Sequence, residues 1–590
     1  MSVRVKVLPD GRTIIVPAGR TLADALEQNG LRLSLYCGQR GICGKCFVEI
    51  ISGEIGEPGA IERRFIEARK LPPRSRMSCR YRPGADAVVR IPDASRLPEM
   101  PVFRTGIERR IVPDPAVRTI AVSFSESGPT ADAALLDRIR NGFRREKPLI
   151  PAGLLREIAR RAAAQSSPSP FWTAVLYDGR ELLDFVPGDV SGSGLGLAVD
   201  LGTTTMVAEL VELDTGRVLG SASSINPQTS FGADVVSRIT AGYMNPDRVG
   251  DMRDAVTAGL NALIEELAGS SRREAEGIHE AVIAGNTAMN HLFLGLPVAT
   301  LAVAPFAGLF SSLPPLAASE SGLRIHPRGK VTIAPNIRSF VGGDISAGLA
   351  ATDLEHRQGN HLFLDLGTNG EIVLKTGPDF VAASTAAGPA FEGMSISCGM
   401  LALPGAVHKA GIRGEEISVR TIGGAPARGV CGTGLIDLIS LALRKGLLTR
   451  GGHILNPSKS IPFAGTLALT QKDVREVQLA AAAVKTGMRL LLSSAGLEAA
   501  ELDGLIVAGA FGNELNIAHA TSIGLLPRID RNKVQFVGNS SLAGARALLL
   551  SRAERARCEK LAARVRHVNL AGDEEFQRIY IESLELAPWP

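Results

Sequence analysis

The chain has 590 residues, a formal net charge of +5, 45% apolar residues and 4% aromatic residues. That length exceeds what one hydrophobic core supports, so we expect several domains, and the composition is typical of soluble globular protein. The opening MSVRVKVLPDGRT alternates like a strand and lacks the apolar core of a signal peptide, so we expect a cytoplasmic location. Four prolines interrupt the longest uncharged run, 281–319, and no membrane span is expected.

Basic residues are concentrated near the amino terminus, where residues 1–92 hold 16 Lys and Arg against 9 Asp and Glu. This region lacks interleaved aromatic residues and any reader motif, so it predicts a docking surface for an acidic protein and no binding of nucleic acid. The chain has seven cysteines, which at this length favour metal binding or catalysis over a disulfide framework.

The first 30 residues predict a hairpin followed by a helix. Valines alternate over 3–7, Pro-Asp-Gly at 9–11 is a turn signal, and 13–16 resumes a β-prone run. Thr21 is expected to cap a short helix that ends at Asn29 and Gly30. A hairpin and a helix that lead into a cysteine-rich loop predict a β-grasp ferredoxin domain over residues 1–92.

The cysteine-rich loop predicts a [2Fe–2S] cluster. Cys37, Cys43 and Cys46 are separated by five and two residues, and Cys79 supplies a fourth thiol further along. Four thiolates are the complete ligand set of such a cluster. The alternative is a structural zinc site, which normally shows two close cysteine pairs, whereas Cys79 has no near partner in sequence.

Glycines separate the cysteines of this loop. Gly38, Gly41 and Gly44 suit a loop that wraps a cluster, because such a loop needs positive φ angles and close approach of backbone N–H groups to sulfur. The five-residue gap is similar to that of adrenodoxin-type ferredoxins. We therefore predict that all four cysteines bind iron.

The remainder of the chain divides into three segments. The stretch 93–115 is rich in proline and charge without periodicity, which predicts a linker. Strand patterns at both ends of 116–190 and helical patterns over 133–143 and 154–164 predict a small middle α/β domain. Residues 191–590 are expected to form the last and largest domain.

Two similar hairpins in this last domain predict a nucleotide site. DLGTTT at 200–205 and DLGTNG at 365–370 each lie between two apolar strands. Each turn points backbone N–H groups and hydroxyls at one place, as phosphate binding requires, and Asp200 and Asp365 are expected to hold Mg²⁺. No P-loop motif occurs in the sequence. The expected phosphate ligands are Gly202, Thr203, Thr204, Thr205, Gly367, Thr368, Asn369 and Gly370.

The paired turns resemble the phosphate-1 and phosphate-2 motifs of the actin, sugar kinase and Hsp70 (ASKHA) superfamily, which has a duplicated ribonuclease H-like fold. The resemblance implies that VGGDISAGLAATDL (341–354) and VGNSSLAGARALLL (537–550) are the two connecting helices. It also implies that Gly509, Gly512 and Asn513 in LIVAGAFGN approach the adenosine. Asp344 is expected to orient the attacking water, and the alternative role for it is a helix amino-terminal cap.

The order of a ferredoxin, a linker, a middle domain and an ASKHA ATPase resembles the reductive activators of corrinoid-dependent methyltransferases. The resemblance extends over essentially the whole chain and is carried by SINPQTSFGADVVSRI, AGNTAMNHLFLGL, STAAGPAFEGM, VCGTGLIDLI and AGAFGNELN. It implies ATP-dependent electron transfer from the cluster to Co(II) of a corrinoid protein, which restores Co(I). It further implies a low-potential donor, such as a ferredoxin or a reductase, and a homodimer.

The segment STAAGPAFEG (384–393) is the candidate contact for the corrinoid. It follows the strands of the second phosphate turn, so it can move when ATP binds, and its small residues leave the hydroxyls of Ser384 and Thr385 accessible. We predict that Ser384 approaches the cobalt or the corrin edge. The alternative is that this segment packs tightly beneath the nucleotide.

Three other functions remain open on the sequence alone. A small-molecule kinase has the same ATPase fold, but no catalytic base beside a substrate pocket is evident and the ferredoxin would be unexplained. A redox-sensing or chaperone-like protein would bind a partner under control of ATP without passing an electron. An activator of another low-potential enzyme, such as a 2-hydroxyacyl-CoA dehydratase, would use the same chemistry on a different partner.

Overall fold

The computed structural model describes residues 2–31, 33, 39, 41, 44–68, 71–92, 95–96, 109–123, 134–143, 147–164, 171–414, 416–509, 515–570 and 574–589. Among the helices of these residues, none has the length and apolarity that a membrane crossing needs. Much of the predicted linker lies outside them. The predicted site residues Cys37, Cys43, Gly512 and Asn513 also lie outside the described residues, as does the loop glycine Gly38.

The amino-terminal domain is a five-stranded sheet in the order β2-β1-β5-β3-β4. Parallel pairing of β1 with β5 places the first and last strands side by side, as in a β-grasp fold. Val5 and Val7 point into its core, and Thr21 caps the first helix in a reciprocal bond with Asp24. The elements are β1 Val3–Leu8, β2 Arg12–Val16, α1 Leu22–Gln28, β3 Phe47–Ser52, α2 Ala60–Ala68, β4 Ser75–Met77 and β5 Ala87–Arg90.

The next unit is a three-stranded antiparallel sheet in the order β6-β7-β8. Two helices cover it, and the stacked rings of Trp172 and Phe185 lie in its core. The elements match the predicted strand and helix patterns, while the domain boundaries at 92, 115 and 190 stay predictions. The bounds are β6 Val117–Ser123, α3 Leu135–Gly142, α4 Ala152–Ala163, β7 Phe171–Tyr177 and β8 Glu181–Pro187.

A six-stranded sheet in the order β11-β10-β9-β12-β14-β13 forms the first half of the predicted ATPase domain. Its elements are β9 Leu195–Leu201, β10 Thr205–Glu212, β11 Val218–Ile225, α5 Val235–Met244, α6 Asp247–Ser271, β12 Ile278–Gly285, α7 Thr287–Leu294, α8 Ala299–Ala302, β13 Leu316–Ala317, α9 Ala318–Ser321, β14 Lys330–Ile333 and α10 Gly343–Thr352.

A second six-stranded sheet, in the order β24-β23-β15-β16-β17-β25, forms the other half. Its strands and helices, with the smaller sheets inserted between them, are β15 Asn360–Leu366, β16 Gly370–Thr376, β17 Asp379–Thr385, β18 Ala406–Arg413, β19 Glu416–Thr421, β20 Gly429–Val430, α11 Gly432–Arg444, β21 Ser460–Ala464, β22 Leu467–Thr470, α12 Gln471–Ser494, β23 Gly504–Gly509, α13 Ile517–Ser522, β24 Val534–Gly538, α14 Ser540–Leu550, α15 Arg552–Arg564, β25 Arg566–His567 and α16 Glu574–Ser583.

The two halves repeat one topology. Three antiparallel strands, β9–β11 and β15–β17, are each extended by two parallel strands, β12 with β14 and β23 with β24. Helices α10 and α14 cross between the halves in backbone contact: a Cβ added to Gly544 would lie 2.1 Å from the carbonyl oxygen of Ala347. The duplicated ribonuclease H-like fold is therefore present, with both phosphate turns at the ends of its hairpins.

Candidate functional site

The two predicted phosphate turns face each other across the cleft between the halves. The hydroxyls of Thr204 and Thr368 lie 3.0 Å apart, and each donates a 2.9 Å hydrogen bond to the same carboxylate oxygen of Glu392. Glu392 comes from the segment that follows β17. The repeated motif therefore forms one site, and Glu392 joins its two parts.

Buried polar side chains hold the first turn from behind. Arg238 is fully buried and donates to the backbone carbonyl of Thr203 at 2.5 Å. Asn286 donates to the Thr203 hydroxyl, and Asn226 donates to the carbonyl of Gly202, both at 2.9 Å. Burial lowers the pKa of Arg238 to about 9, which leaves it a cation at neutral pH beneath the turn. Thr205 begins β10 and lies at the end of the turn.

The second turn is held by its neighbouring strands. Gly367 donates its N–H to the Asn369 carbonyl at 3.0 Å, which closes the turn. Gly370 pairs with β17, where a Cβ would lie 2.8 Å from the Thr385 hydroxyl. Gly509 has a φ of +98° and ends β23, where a Cβ would lie 2.4 Å from the Leu366 carbonyl oxygen. The glycines at 370 and 509 therefore allow close packing that a larger residue would prevent.

Asp200 is held by the amino-terminal end of α14. Its two carboxylate oxygens accept hydrogen bonds from Asn539 Nδ2 and Ser541 Oγ, each at 2.8 Å. Asn539 also caps α14 through the N–H of Leu542. The second connecting helix thus orients the aspartate of the first phosphate turn.

Acidic side chains are concentrated in this cleft. Burial raises the pKa of Asp365 to about 8, and the nearby carboxylates of Asp344, Asp200 and Glu392 add to the increase. The pKa of Glu371 is also raised, chiefly by burial and then by Asp344 and Asp365. A bound cation would favour the ionised form of these carboxylates, because burial and mutual repulsion both disfavour it.

Asp344 lies in the first turn of α10 and belongs to the same acidic group. Burial raises its pKa to about 7, and Asp200 contributes to the increase. Gly342 is the N-cap residue of this helix, so Asp344 does not occupy the cap position. Its carboxylate nevertheless accepts the N–H of Ile345 at 2.8 Å, which fixes its orientation. A carboxylate with a pKa near neutrality suits a general base.

The donor set fits a magnesium–nucleotide complex. Mg²⁺ prefers carboxylate oxygens and water and usually binds through one or two carboxylates together with substrate phosphates. Asp200 and Asp365 are the carboxylates attached to the two turns. Burial raises the pKa of each, and neighbouring carboxylates add to the increase at Asp365. A bound divalent cation would stabilise both as anions. Their assignment to the metal stays a prediction.

The raised pKa of Asp365 predicts how stability depends on pH without nucleotide. Between the ordinary aspartate value of 3.8 and about 8, the folded chain retains a proton that the unfolded chain has lost. The free energy of unfolding contributed by this group therefore falls as pH rises through that interval. We expect the melting temperature of the Mg²⁺-free, nucleotide-free protein to drop between pH 5.5 and 8.5 by several degrees more than that of Asp365→Asn, as measured by scanning calorimetry.

Two comparisons test this assignment. Saturating Mg²⁺ and ATP should reduce the difference between the pH dependence of the wild-type melting temperature and that of Asp365→Asn, because the cation supplies positive charge beside Asp365. Equal pH slopes for the wild type and Asp365→Asn would show that Asp365 is not the titrating group.

The described part of the ferredoxin loop brings two of the four cysteines together. Cys46 precedes β3 and Cys79 follows β4, and their sulfur atoms lie 3.4 Å apart in a buried position. Sulfurs that share a tetrahedral metal ion at about 2.3 Å are separated by about 3.8 Å, so this pair fits one metal ion. Cys37 and Cys43 lie outside the described residues, and their role stays a prediction.

Two loop glycines have the backbone geometry that the sequence predicts. Gly41 and Gly44 have φ angles of +72° and +61°. A Cβ at Gly44 would also lie 2.8 Å from the ring of Phe65 in α2. The loop around the cysteines therefore needs glycine for both its conformation and its packing.

Ser384 and Thr385 end β17 beside the acidic cleft. Ser384 is partly exposed, and its hydroxyl lies 3.4 Å from Glu371. Thr385 is buried and donates to the Gly370 carbonyl at 3.1 Å, so the expectation that its hydroxyl is accessible is wrong. Contact of Ser384 with a corrinoid stays a prediction.

Sequence reasoning missed several residues of this site. The segments SINPQTSFGADVVSRI, AGNTAMNHLFLGL and STAAGPAFEGM carry the family resemblance, but apart from Ser384 the sequence indicates no role for their polar residues. A signal was present in the carboxylate, amide and guanidinium groups placed within otherwise apolar or small-residue stretches. The missed residues are Asn226, Arg238, Asn286, Glu371, Glu392, Asn539 and Ser541.

Family models match three consecutive parts of the chain. Residues 5–84 match the 2Fe-2S iron-sulfur cluster binding domain, residues 195–357 match the RACo middle region, and residues 359–588 match the C-terminal domain of RACo, the ASKHA domain. The RACo middle region thus coincides with the first half of the duplicated fold rather than with the predicted middle domain. These matches define a class of protein in which an ASKHA domain is joined to an iron–sulfur ferredoxin domain.

Two curated relatives and one solved structure align with most of the chain. The chain is 30% identical over 588 residues to the corrinoid activation enzyme RamQ of Eubacterium limosum, covering 95% of each chain. It is 27% identical over 436 residues to the [Co(II) methylated amine-specific corrinoid protein] reductase of Methanosarcina barkeri, covering 67% of this chain and 77% of that protein. A solved structure, the reductive activator for corrinoid,iron-sulfur protein, has 31% identity and a TM-score of 0.75, covering 99% and 98% of the two chains.

The chain therefore belongs to the family of corrinoid activation proteins that have an amino-terminal [2Fe–2S] ferredoxin domain and an ASKHA-type ATPase domain. The predicted family, the multidomain α/β fold and the enzyme class are confirmed.

Proposed function

We propose that this protein reduces the inactive Co(II) form of a corrinoid protein to Co(I) in an ATP-dependent reaction, using an electron from its [2Fe–2S] cluster. The support is the alignment, over 95% of each chain, with a relative named as a corrinoid activation enzyme, and over 99% of this chain with a solved reductive activator for a corrinoid protein. The cleft between the two phosphate turns provides the site for Mg–ATP. The alternatives remain a different low-potential acceptor or a small molecule as phosphate acceptor.

One contact between the two domains carries the ATP-dependent part of the proposal. Lys45, the neighbour of Cys46 in the ferredoxin loop, donates hydrogen bonds to the carbonyls of Ser397 and Gly399 at 3.3 and 2.7 Å. Ser397 is in turn held by Asp473 at the start of α12. This places the described end of the cysteine loop against the segment that contains Glu392 and follows the second phosphate turn.

The contact gives a physical reason for joining an ATPase to a ferredoxin. Plant-type clusters have potentials near about −400 mV. If the cobalt couple lies lower, each 100 mV of uphill transfer costs about 2.3 kcal/mol for one electron. A change of the Glu392 segment on nucleotide binding could offset that cost by altering how the corrinoid partner is held or how its cobalt is ligated.

The chain's own residues have distinct roles in nucleotide binding and hydrolysis. The backbone N–H groups and hydroxyls of the two turns bind the phosphates, and Asp200 and Asp365 would hold Mg²⁺, which supplies charge neutralisation when bound. Asp344 orients the attacking water and accepts its proton. Glu392 bonds both threonines, so displacement of its hydrogen bonds by phosphate would move the segment that Lys45 contacts.

The experiment that tests the function combines the [2Fe–2S] protein with Co(II) corrinoid protein, a low-potential reductant and Mg–ATP under anaerobic conditions. We expect the absorption of Co(I) to appear and to depend on both ATP and the activator. Replacing ATP with a non-hydrolysable analogue should prevent repeated turnover. In the same assay Ser384→Ala should slow reduction and alter the cobalt spectrum without changing ATP affinity.

Other outcomes would favour the alternatives. ATP-independent formation of Co(I) would contradict the proposed coupling, whereas phosphate transfer to a small molecule that survives deletion of residues 1–92 would indicate a kinase. We propose in addition that a ferredoxin or a reductase is the physiological donor and that the protein acts as a homodimer. Sedimentation equilibrium of the cluster-loaded chain tests the dimer, and a mass equal to one chain would exclude it.

A further inference from the structure

A group of three side chains of metal-ligating types lies outside the nucleotide and [2Fe–2S] sites. Asp184, His279 and His326 offer one carboxylate oxygen and two imidazole nitrogens that all lie within 4.8 Å of one another. All three residues are buried, with relative exposures of 6%, 7% and 5%. Asp184 belongs to β8 of the three-stranded unit, while the histidines belong to β12 and to the loop before β14 of the ATPase.

The two histidines have unused binding capacity. Among the residues that the structure describes, neither ring nitrogen of His279 has a hydrogen-bond partner of good geometry, although the Gly277 backbone lies near the ring, and Nδ1 of His326 also has none. The rings stack with centroids 4.6 Å apart. Polar atoms buried in this way without a partner are costly, and native proteins rarely retain them unless a missing water, ion or other ligand satisfies them.

The carboxylate is already oriented toward the histidines. Arg161 donates to Oδ1 of Asp184 at 2.5 Å, which leaves Oδ2 facing His326 Nε2 at 3.5 Å. Arg328 lies nearby and is bound by Glu157 at 2.7 Å, so the two guanidinium groups are each balanced by a carboxylate. Oδ1 of Asp184 therefore bonds to Arg161, and Oδ2 remains available to a cation.

We propose that Asp184, His279 and His326 bind one Zn²⁺. Two imidazoles and a carboxylate form a common ligand set for zinc, with water available as the fourth ligand of a tetrahedral ion. Ligand atoms around such an ion lie about 3.3 Å apart, so the side chains have to close by up to about 1.5 Å. The three ring nitrogens that lack a well-formed hydrogen bond permit that movement, because it would break few strong contacts.

The position of the group indicates a structural role for the ion. It would link the three-stranded unit to the first ATPase sheet, an interface that Lys330 and Glu181 also bridge with an ion pair of 2.7 Å. His279 and Asn286, which supports the first phosphate turn, are seven residues apart, with β12 covering most of that distance, or roughly 23 Å in an extended strand. The proposed zinc is thus remote from the nucleotide and does not depend on the proposed redox function.

Metal analysis of the full chain with its [2Fe–2S] cluster loaded is the first test. After dialysis against Zn²⁺-free buffer containing Mg²⁺, we expect about one zinc per chain beside the cluster iron. His279→Ala and His326→Ala should each lose at least ten times as much zinc occupancy as the matched control His361→Ala, which removes a buried histidine elsewhere. Zinc that persists in both His279→Ala and His326→Ala would overturn the assignment.

A second measurement needs only the wild-type chain and so does not depend on whether the variants fold. The zinc X-ray absorption fine structure should show nitrogen and oxygen neighbours at about 2.0–2.1 Å; sulfur at about 2.3 Å would instead place the metal at the cysteines and overturn the proposal. A zinc-selective chelator should lower the melting temperature by several degrees, and added Zn²⁺ should restore it. Absence of zinc together with no response to added Zn²⁺ would also overturn the proposal.

Discussion

Replacement of Cys79 by serine is expected to reduce Co(II) reduction to background, a loss of at least about 100-fold, while ATP binding stays unchanged. The sulfur of Cys79 is buried and lies 3.4 Å from that of Cys46, so it would supply one of two ligands to a single iron. Loss of that ligand removes the electron carrier but leaves the nucleotide cleft intact. Visible absorption, the rate of Co(I) formation and calorimetric titration with Mg–ATP measure the three quantities.

Cys431→Ser is the matched control for this experiment. Cys431 is also buried, and its sulfur contacts the Val407 carbonyl and the Thr433 hydroxyl, which a serine hydroxyl can also bond. We expect this control to keep its cluster and its activity. Full reductive activity in Cys79→Ser would refute the role of the cluster as electron carrier, whereas an equal loss of activity in both variants would indicate general misfolding.

Asp344→Asn is expected to slow ATP hydrolysis by about 10²- to 10⁴-fold, the usual contribution of a positioned general base. An asparagine retains the oxygen that accepts the Ile345 N–H, so the start of α10 should keep its structure. It also removes a negative charge that raises the pKa of Asp365. The melting temperature at pH 8 should therefore not fall, and hydrolysis measured by phosphate release should separate a chemical role from a structural one.

Asp379→Asn provides the control for charge removal, because Asp379 is exposed at the start of β17. Its hydrolysis rate should equal that of the wild type. A normal rate in Asp344→Asn would leave Asp344 as a residue that only orients the end of α10. Weaker binding of Mg–ATP with an unchanged maximal rate would assign it to the metal instead.

The hairpins and their repeat were predictable because local signals coincide there. Apolar strands flank Gly-Thr turns twice, and the same pattern that defines the turn also places an aspartate beside it. The ferredoxin sheet was predictable for a similar reason, since alternating valines, a turn signal and a capping threonine all agree on one structure.

The support for the site was not predictable in the same way. Glu392 and Arg238 reach the turns from segments that are distant in sequence, so neither their burial nor their partners could be inferred from periodicity. The meeting of Thr204 and Thr368 was implied by the repeat, but the carboxylate between them was not. Likewise, the group of Asp184 and two histidines is formed by the packing of separate units and has no motif in the sequence.

The crossing of α10 and α14 provides an axis about which the two halves of the ATPase domain can rotate relative to each other. A Cβ added to Gly348 would lie 2.8 Å from the Ser540 hydroxyl, and one added to Gly544 would contact the Ala347 backbone even more closely. These close contacts at the crossing are between small residues, Gly348 with Ser540 and Gly544 with Ala347, so one half can rotate relative to the other with little displacement of bulky side chains at these points. Asp344 lies at the amino-terminal end of α10, and Asn539, which holds Asp200, caps α14. A small rotation about the helix crossing would therefore change the distance between these acidic side chains at the predicted metal site.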